Sequence, residues 1–181
     1  MAESVKVVTG KAFIAHPYIF NPRPESAEID PGKFTVMVGV PKSDTDTVKR
    51  IKDAIAEAIK RQWPEGKTPG GMSMPLKDGD AKFAEDEKKY SHMKGHYYLN
   101  AKTTTKPKVF DATVQEILDP KEVSSGDFGK VSLNFKGFDK AGNKGVGVYL
   151  NAVQILGKGT SVIGAGNVKD DFAIEEAAEV F

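Results

Sequence analysis

Between Gly95 and Asp111 the chain reads GHYYLNAKTTTKPKVFD, a stretch that concentrates side chains able to grip a flat, charged ligand. On an extended strand alternate side chains face opposite ways. Tyr97, Leu99 and Ala101 then share one face, suited to a core, while Tyr98, Asn100 and Lys102 share the other. A ring, an amide and an ammonium in a row, followed by Lys106 and Lys108, form the set that an unpaired base and its phosphate require. The same pattern also describes an ordinary amphipathic strand with a solvated polar face. Other strands must decide between the two.

Similar outward sets recur twice. In residues 11–20, KAFIAHPYIF, one parity carries His16, Tyr18 and Phe20, and the other carries Phe13, Ala15 and Ile19. In residues 130–138, KVSLNFKGF, Val131, Leu133 and Phe135 turn inward while Lys130, Asn134, Lys136 and Phe138 turn outward. Three such strands fit a mostly-β domain whose outer face holds a single strand by stacking and charge. Tyr18, Tyr98 and Phe138 are the candidate stacking rings, with Asn100 beside them. Lys102, Lys106, Lys130 and Lys136 are the candidate phosphate contacts.

Catalytic patterns do not assemble. Without cysteine the chain has no disulfide, thiolate nucleophile or cysteine-ligated zinc. His16, His92 and His96 form no HExxH pair and read as structural. Asp78 and Asp80 around Gly79 lack the further ligands of a calcium loop and read as a tight turn. Gly157–Ser161, GKGTS, resembles the tail of a phosphate-binding loop, but Gly159 stands where Ser or Thr belongs and Ala152 where the upstream glycine belongs. No GxSxG elbow or defensible carboxylate pair is present. The reading assigns no catalytic residue, no metal and no cofactor, and expects no enzyme activity. A metal-dependent nuclease with dispersed acids is the enzymatic alternative.

The elements that would position these residues follow from periodicity. Lys33–Val40 alternates, with Phe34, Val36, Val38 and Val40 inward. PKSDTDTVKRIKDAIAEAIKRQW predicts a helix capped by Ser43 or Asp44 and stopped by Pro64, its apolar stripe running from Val48 to Trp63. Glu65–Ser91 is a long polar insertion, functional or mobile. Val109–Leu118 gives a short strand, and Lys130–Phe138 with Gly145–Leu156 a hairpin turned at DKAGNKG. The expectation is five or six strands with one main helix after the second.

Charge divides the chain. Net charge is +1, but five of the 25 acids and none of the 26 Lys and Arg lie after residue 169, so residues 1–169 carry a net of +6. A basic body with an acidic tail suits a nucleic-acid partner. No run approaches a membrane span and no secretory signal is visible, so the expected partners include no membrane and the expected location is cytoplasmic.

In order along residues 10–172, the segments AFIAHPYIF, KFTVMVGVPKSDTDTVKRI, PLKDGD, GHYYLNAKTTTKPKV, KVSLNFKGFDKAGNKGVGVYLNAVQIL and a late DDF resemble the phage-encoded single-stranded-DNA-binding proteins once grouped as an uncharacterised tailed-phage domain. The resemblance implies an OB-fold-like five-stranded barrel over residues 1–169 and single-stranded-DNA binding in phage replication or recombination, without catalysis. It also implies that residues 170–181 form an acidic C-terminal tail. There Asp170, Asp171, Glu175, Glu176, Glu179 and the terminal Phe181 would bind replication or recombination proteins and compete with DNA. The alternative for that segment is a short helix packing Phe172, Ile174 and Val180 on the body. A structural phage protein, such as a minor virion or scaffold component, is the alternative from another class. A homodimer is one assembly the sequence leaves open.

Overall fold

The computed structural model describes residues 3–159. Eight strands are present among them: β1 (Val5–Val8), β2 (Ala12–Tyr18), β3 (Phe34–Pro41), β4 (Lys77–Asp78), β5 (His96–Thr103), β6 (Lys108–Phe110), β7 (Phe128–Lys140) and β8 (Asn143–Gly157). The main helix, α1 (Thr45–Gln62), follows β3, and a short helix, α2 (Gly79–Glu85), follows β4. β2, β3, β5, β8 and β7 pair in succession and β7 pairs back to β2, which closes a ring of five strands. β1 pairs with β7, β4 with β5 and β6 with β8 outside that ring. The main helix therefore follows the third strand of the chain rather than the second, because Val5–Val8 adds a strand that its four residues, VKVV, did not announce.

The ring encloses the core. Ile14, Val36, Val38, Val40, Leu99, Val131, Leu133, Phe135, Val148 and Val153 are buried inside it, as the alternation in β3, β5 and β7 requires. Each fully buried side chain of this kind contributes about 1.5–3 kcal/mol. α1 packs its Val48, Ile51, Ala54, Ile55 and Ala58 stripe into the same core, against β7 and β1. Its cap is Asp44, whose carboxylate accepts from the Thr47 amide at 3.1 Å and the Thr47 hydroxyl at 2.6 Å. Those bonds, the hydroxyl first, hold the Asp44 carboxyl below its ordinary pKa. The Thr47 hydroxyl accepts in turn from the Gly10 amide at 2.9 Å, tying the helix start to the β1–β2 link.

Two features depart from simple alternation. In β2 the register shifts between Ala15 and Tyr18, and His16 takes a left-handed backbone with φ of 48°. The bulge inserts a residue, so Ile19 enters the main core while Phe13 and Ala15 face the outside of the ring. The shared parity of Phe13, Ala15 and Ile19 is thus broken at the place Pro17 marked. The insertion between α1 and β5 is also more structured than its composition suggests. It supplies β4, α2 and a 3-10 turn at Ser91–Met93. No described helix is long and apolar enough to cross a membrane.

Candidate nucleic-acid interface

The outside of the ring carries a continuous row of paired residues. Register places Tyr18 opposite Thr35, Thr35 opposite Lys102, Lys102 opposite Tyr149, Tyr149 opposite Asn134, and Asn134 opposite Lys6. Paired residues point to the same side of a sheet. The row therefore brings two rings, two lysines, an amide and a hydroxyl onto one outward band crossing six strands.

A groove of about 610 Å³ opens along this band where β5 and β8 meet at the single pair Lys102–Tyr149. Asn100, Lys102, Phe138 and Tyr149 line it together with Lys33, Lys77 and Lys140, and none of its lining residues is acidic. Its wall is the segment leading into β4. The Ser73 amide donates to the Lys144 carbonyl at 2.9 Å, and the Val146 amide to the Ser73 carbonyl at 3.1 Å. Gly145 is required there, since a Cβ would collide with the Ser73 carbonyl oxygen. Tyr149 is 39% exposed, and its ring lies back over Gly147, where a Cβ would stand 3.3 Å from ring atoms. The glycine leaves the ring room to lie along the sheet as a shelf.

A second groove of about 310 Å³ shares Asn100 and Lys102 with the first and adds Thr35, Met37, His16, Arg23 and Asp30. A third, about 280 Å³, is formed by Tyr18, Phe20 and prolines 17, 22, 24 and 120. The Arg23 guanidinium stands 4.9 Å from the Tyr18 ring centre, a cation–π contact that presents ring and charge together. On β7, the Asn134 side-chain amide donates to Asn151 Oδ1 at 3.1 Å, and the Asn151 side-chain amide donates to the Ser132 hydroxyl at 3.3 Å. These bonds hold the amide band in place.

Of the residues expected at the interface, Asn100, Lys102 and Phe138 line one groove, and Tyr18 lies on the same outward row. Lys136 is opposite Gly147 at the groove's edge. Lys130 is exposed farther along β7 opposite Gln154, and Lys106 is exposed beyond the end of β5; neither lines a groove described above. Asp170, Asp171, Glu175, Glu176, Glu179 and Phe181 lie outside the described residues.

Tyr98 is the correction. It does face outward, in register with Asn100 and Lys102, but it is only 6% exposed. The cause is the insertion. α2 and the turn at Ser91–Met93 fold across this end of the outer face, and Tyr98 packs with Phe13, Ala15 and Met93 in a second apolar cluster flanked by Met37, Tyr90 and Phe128. Burial pushes the Tyr98 hydroxyl above its ordinary pKa. A buried ring cannot stack on a base while this cap is in place.

The cap is fastened at its base. The Lys42 ammonium donates to Asp78 at 2.7 Å and Asp80 at 2.6 Å, and Asp80 accepts from the Gly95 amide at 2.8 Å. Lys42 is held above its ordinary pKa, first by its bond to Asp78 and then by that to Asp80. The carboxyl of Asp78 is lowered chiefly by Lys42, and that of Asp80 chiefly by the Gly95 amide. Gly79 admits no side chain, because a Cβ would strike the Met93 carbonyl oxygen. Lys42 and Lys52 also stand 4.9 and 5.2 Å from the centre of the Tyr97 ring. His92 and His96 pack on Phe13 with ring centres 5.7 and 5.0 Å away. Burial lowers the pKa of His92, and nearby His16 and His96 lower it further. The histidines do belong together in space, although sequence spacing separates His16 from the other two. Among the described residues no group of three or more His, Cys, Asp or Glu is arranged to hold a metal ion.

Tyr149, Lys33, Lys77 and Lys140 are the interface candidates that sequence reading passed over. Parity in GVGVYLNAVQIL was the available signal for Tyr149: Val146, Val148 and Leu150 point inward, so Gly147 and Tyr149 point outward.

Comparison with known proteins gives one consistent answer. Residues 5–181 match the model of a family described as Enterobacter phage Enc34, ssDNA-binding protein. Protein p50 of Acyrthosiphon pisum secondary endosymbiont phage 1 is 26% identical, over 97% of this chain and 98% of that protein. Among solved structures, the single-stranded DNA-binding protein of bacteriophage Enc34 in complex with ssDNA superposes with a TM-score of 0.69 at 19% identity, covering 88% of this chain and 89% of its own. The single-stranded DNA-binding protein gp2.5 of bacteriophage T7 superposes with a TM-score of 0.66 at 15% identity, covering 99% of this chain and 100% of its own. At these identities the superpositions speak for the fold.

Proposed function

This chain belongs to the family of the Enterobacter phage Enc34 ssDNA-binding protein, and from that premise we propose that it binds single-stranded DNA in phage replication along the outward band from Tyr18 through Lys102 to Tyr149. The observation that carries the placement is the acid-free groove, in which four lysines surround two rings. Bases stack on Tyr149 and Phe138, which supplies about 1–3 kcal/mol per base and little sequence preference. Lys33, Lys77, Lys102 and Lys140 take the phosphates, with Lys136 at the groove's edge, so affinity falls as salt rises. Asn100, which lines the same groove two residues before Lys102 on β5, offers an amide to base edges or sugar. Tyr18 with Arg23 continues the track on the far side of Lys102.

The protein acts by holding the strand, not by chemistry on it, and it does so in the cytoplasm of the infected cell. Residues 1–169 form the binding domain. The net +6 of those residues supports a second role for residues 170–181, whose acids compete for the lysines and bind replication or recombination proteins.

Anisotropy of a labelled oligothymidylate, set against a duplex of equal length over a salt series, tests this reading. The expected result is tight single-strand binding that weakens steeply with salt, and stronger binding still by a chain ending at Val168. Equal or absent binding of both oligonucleotides at low salt defeats it.

A further inference from the structure

Lys102 occupies the junction of the grooves of about 610 and 310 Å³, and it is not free there. Its ammonium donates to Asp30 Oδ1 at 3.1 Å, and the same oxygen stands 3.9 Å from the Lys33 ammonium. We propose that Asp30 is a built-in stand-in for a nucleic-acid phosphate, which the incoming strand must displace from Lys102. Asp30 then sets the affinity of the interface and its response to salt. The inference rests on reading the outward band as the single-strand interface.

Three observations support it. The carboxylate is delivered by a shaped loop, not by a chance rotamer of a long arm. The Arg23 amide donates to the Lys33 carbonyl at 2.8 Å, the Gly32 amide to the Arg23 carbonyl at 3.0 Å, and the Arg23 guanidinium to the Ile29 carbonyl at 2.9 Å. Asp30 itself sits in the left-handed region at φ 48°, which Asp and Asn tolerate and most residues do not.

Second, Asp30 is the one carboxylate among the described residues that is ion-paired with any of the four lysines lining the acid-free groove. Third, the side chains of Lys102 and Asp30 are 44% and 25% exposed. A pair so open contributes little to folding. Its anionic oxygen nevertheless occupies the place beside Lys102 where a phosphate oxygen would bind. A strand engaging Lys102 exchanges one anionic partner for another, so the wild-type contact gains less than a free lysine would.

Asp30→Asn is the decisive variant, because Asn keeps the left-handed backbone and loses only the charge. It is compared with the wild type, Lys102→Gln and the double variant, using full chains and labelled oligothymidylate over a salt series. Asp30→Asn is expected to bind roughly two- to fivefold more tightly at low salt, the range of one exposed ion pair. The advantage shrinks as salt screens the charges, and it largely disappears in the Lys102→Gln background. Unchanged or weaker binding by Asp30→Asn overturns the proposal, as does a gain that survives in full without Lys102. Failure of the wild type itself to bind the oligonucleotide at low salt would defeat the interface reading instead.

Discussion

Tyr98 and Asn100 lie two residues apart on the same outward face of β5, yet they belong to different environments. Tyr98 is buried beneath the chain's own insertion, whereas Asn100 is exposed in a groove rimmed by lysines. Along one strand, therefore, the outer face changes from packing surface to binding surface within about 7 Å. Strand parity fixes the side a residue takes; what lies over that side is set by distant sequence. Here the deciding segment is residues 79–93, clipped at its base by Lys42.

Alanine at Tyr98 on the capped side and at Tyr149 in the open groove breaks the comparison most directly. Tyr98→Ala empties a site packed by Phe13, Ala15 and Met93 and is expected to cost about 3 kcal/mol of stability. In a domain of this size the melting temperature falls by roughly 6–12 °C. Oligothymidylate affinity per folded molecule is unchanged. Tyr149→Ala does the reverse: the melting temperature holds, and binding weakens by about 1–3 kcal/mol. Thermal melts and anisotropy on both variants suffice. A Tyr98→Ala protein that melts normally but binds poorly would show that the cap lifts in the complex and that Tyr98 stacks.

A smaller effect separates the lysines within the open region. Lys102→Gln is expected to flatten the dependence of log affinity on log salt by less than about 0.7, the full share of one single-strand phosphate contact, because Asp30 already neutralises part of the lysine's charge. Lys130→Gln, whose side chain lies outside the grooves, should flatten it less. Equal slopes for the two variants would mean that the strand follows β7 rather than the groove between β5 and β8.

Much of this contrast was visible in the residues themselves. The alternations in β3, β5 and β7 identified the core face, and the helix from Asp44 to Trp63 announced both its cap and its stripe. Lys102, Asn100 and Phe138 were recognisable as outward groups because parity is a local property. The covering of Tyr98 was not recognisable. It depends on Met93 and Tyr90, isolated apolar residues in a polar stretch, and on contacts between residues far apart in sequence. The pairing of Asp30 with Lys102, 72 residues apart, is of the same kind. The bulge at His16 fell between these cases: Pro17 flagged an irregularity, and only tertiary pairing decided which side Phe13 took.

The smallest effect sharpens the capped side alone, through pH. Packing against Phe13 lowers the pKa of His92, so the folded protein favours the neutral ring and the unfolded chain takes up a proton first as pH falls. The cap's stability is therefore complete above the ordinary histidine range near 6.5 and declines as pH falls below it. Asp78 and Asp80 are lowered carboxylates, so their contribution survives to about pH 4 and is lost below that. Amide exchange at Met93 and Tyr98, corrected for intrinsic rate, should show protection lost in two stages, the first removed by His92→Gln and the second unaffected by it. A single loss below pH 4, identical in His92→Gln and wild type, would assign the whole response to the Lys42 clip and leave His92 a packing residue only.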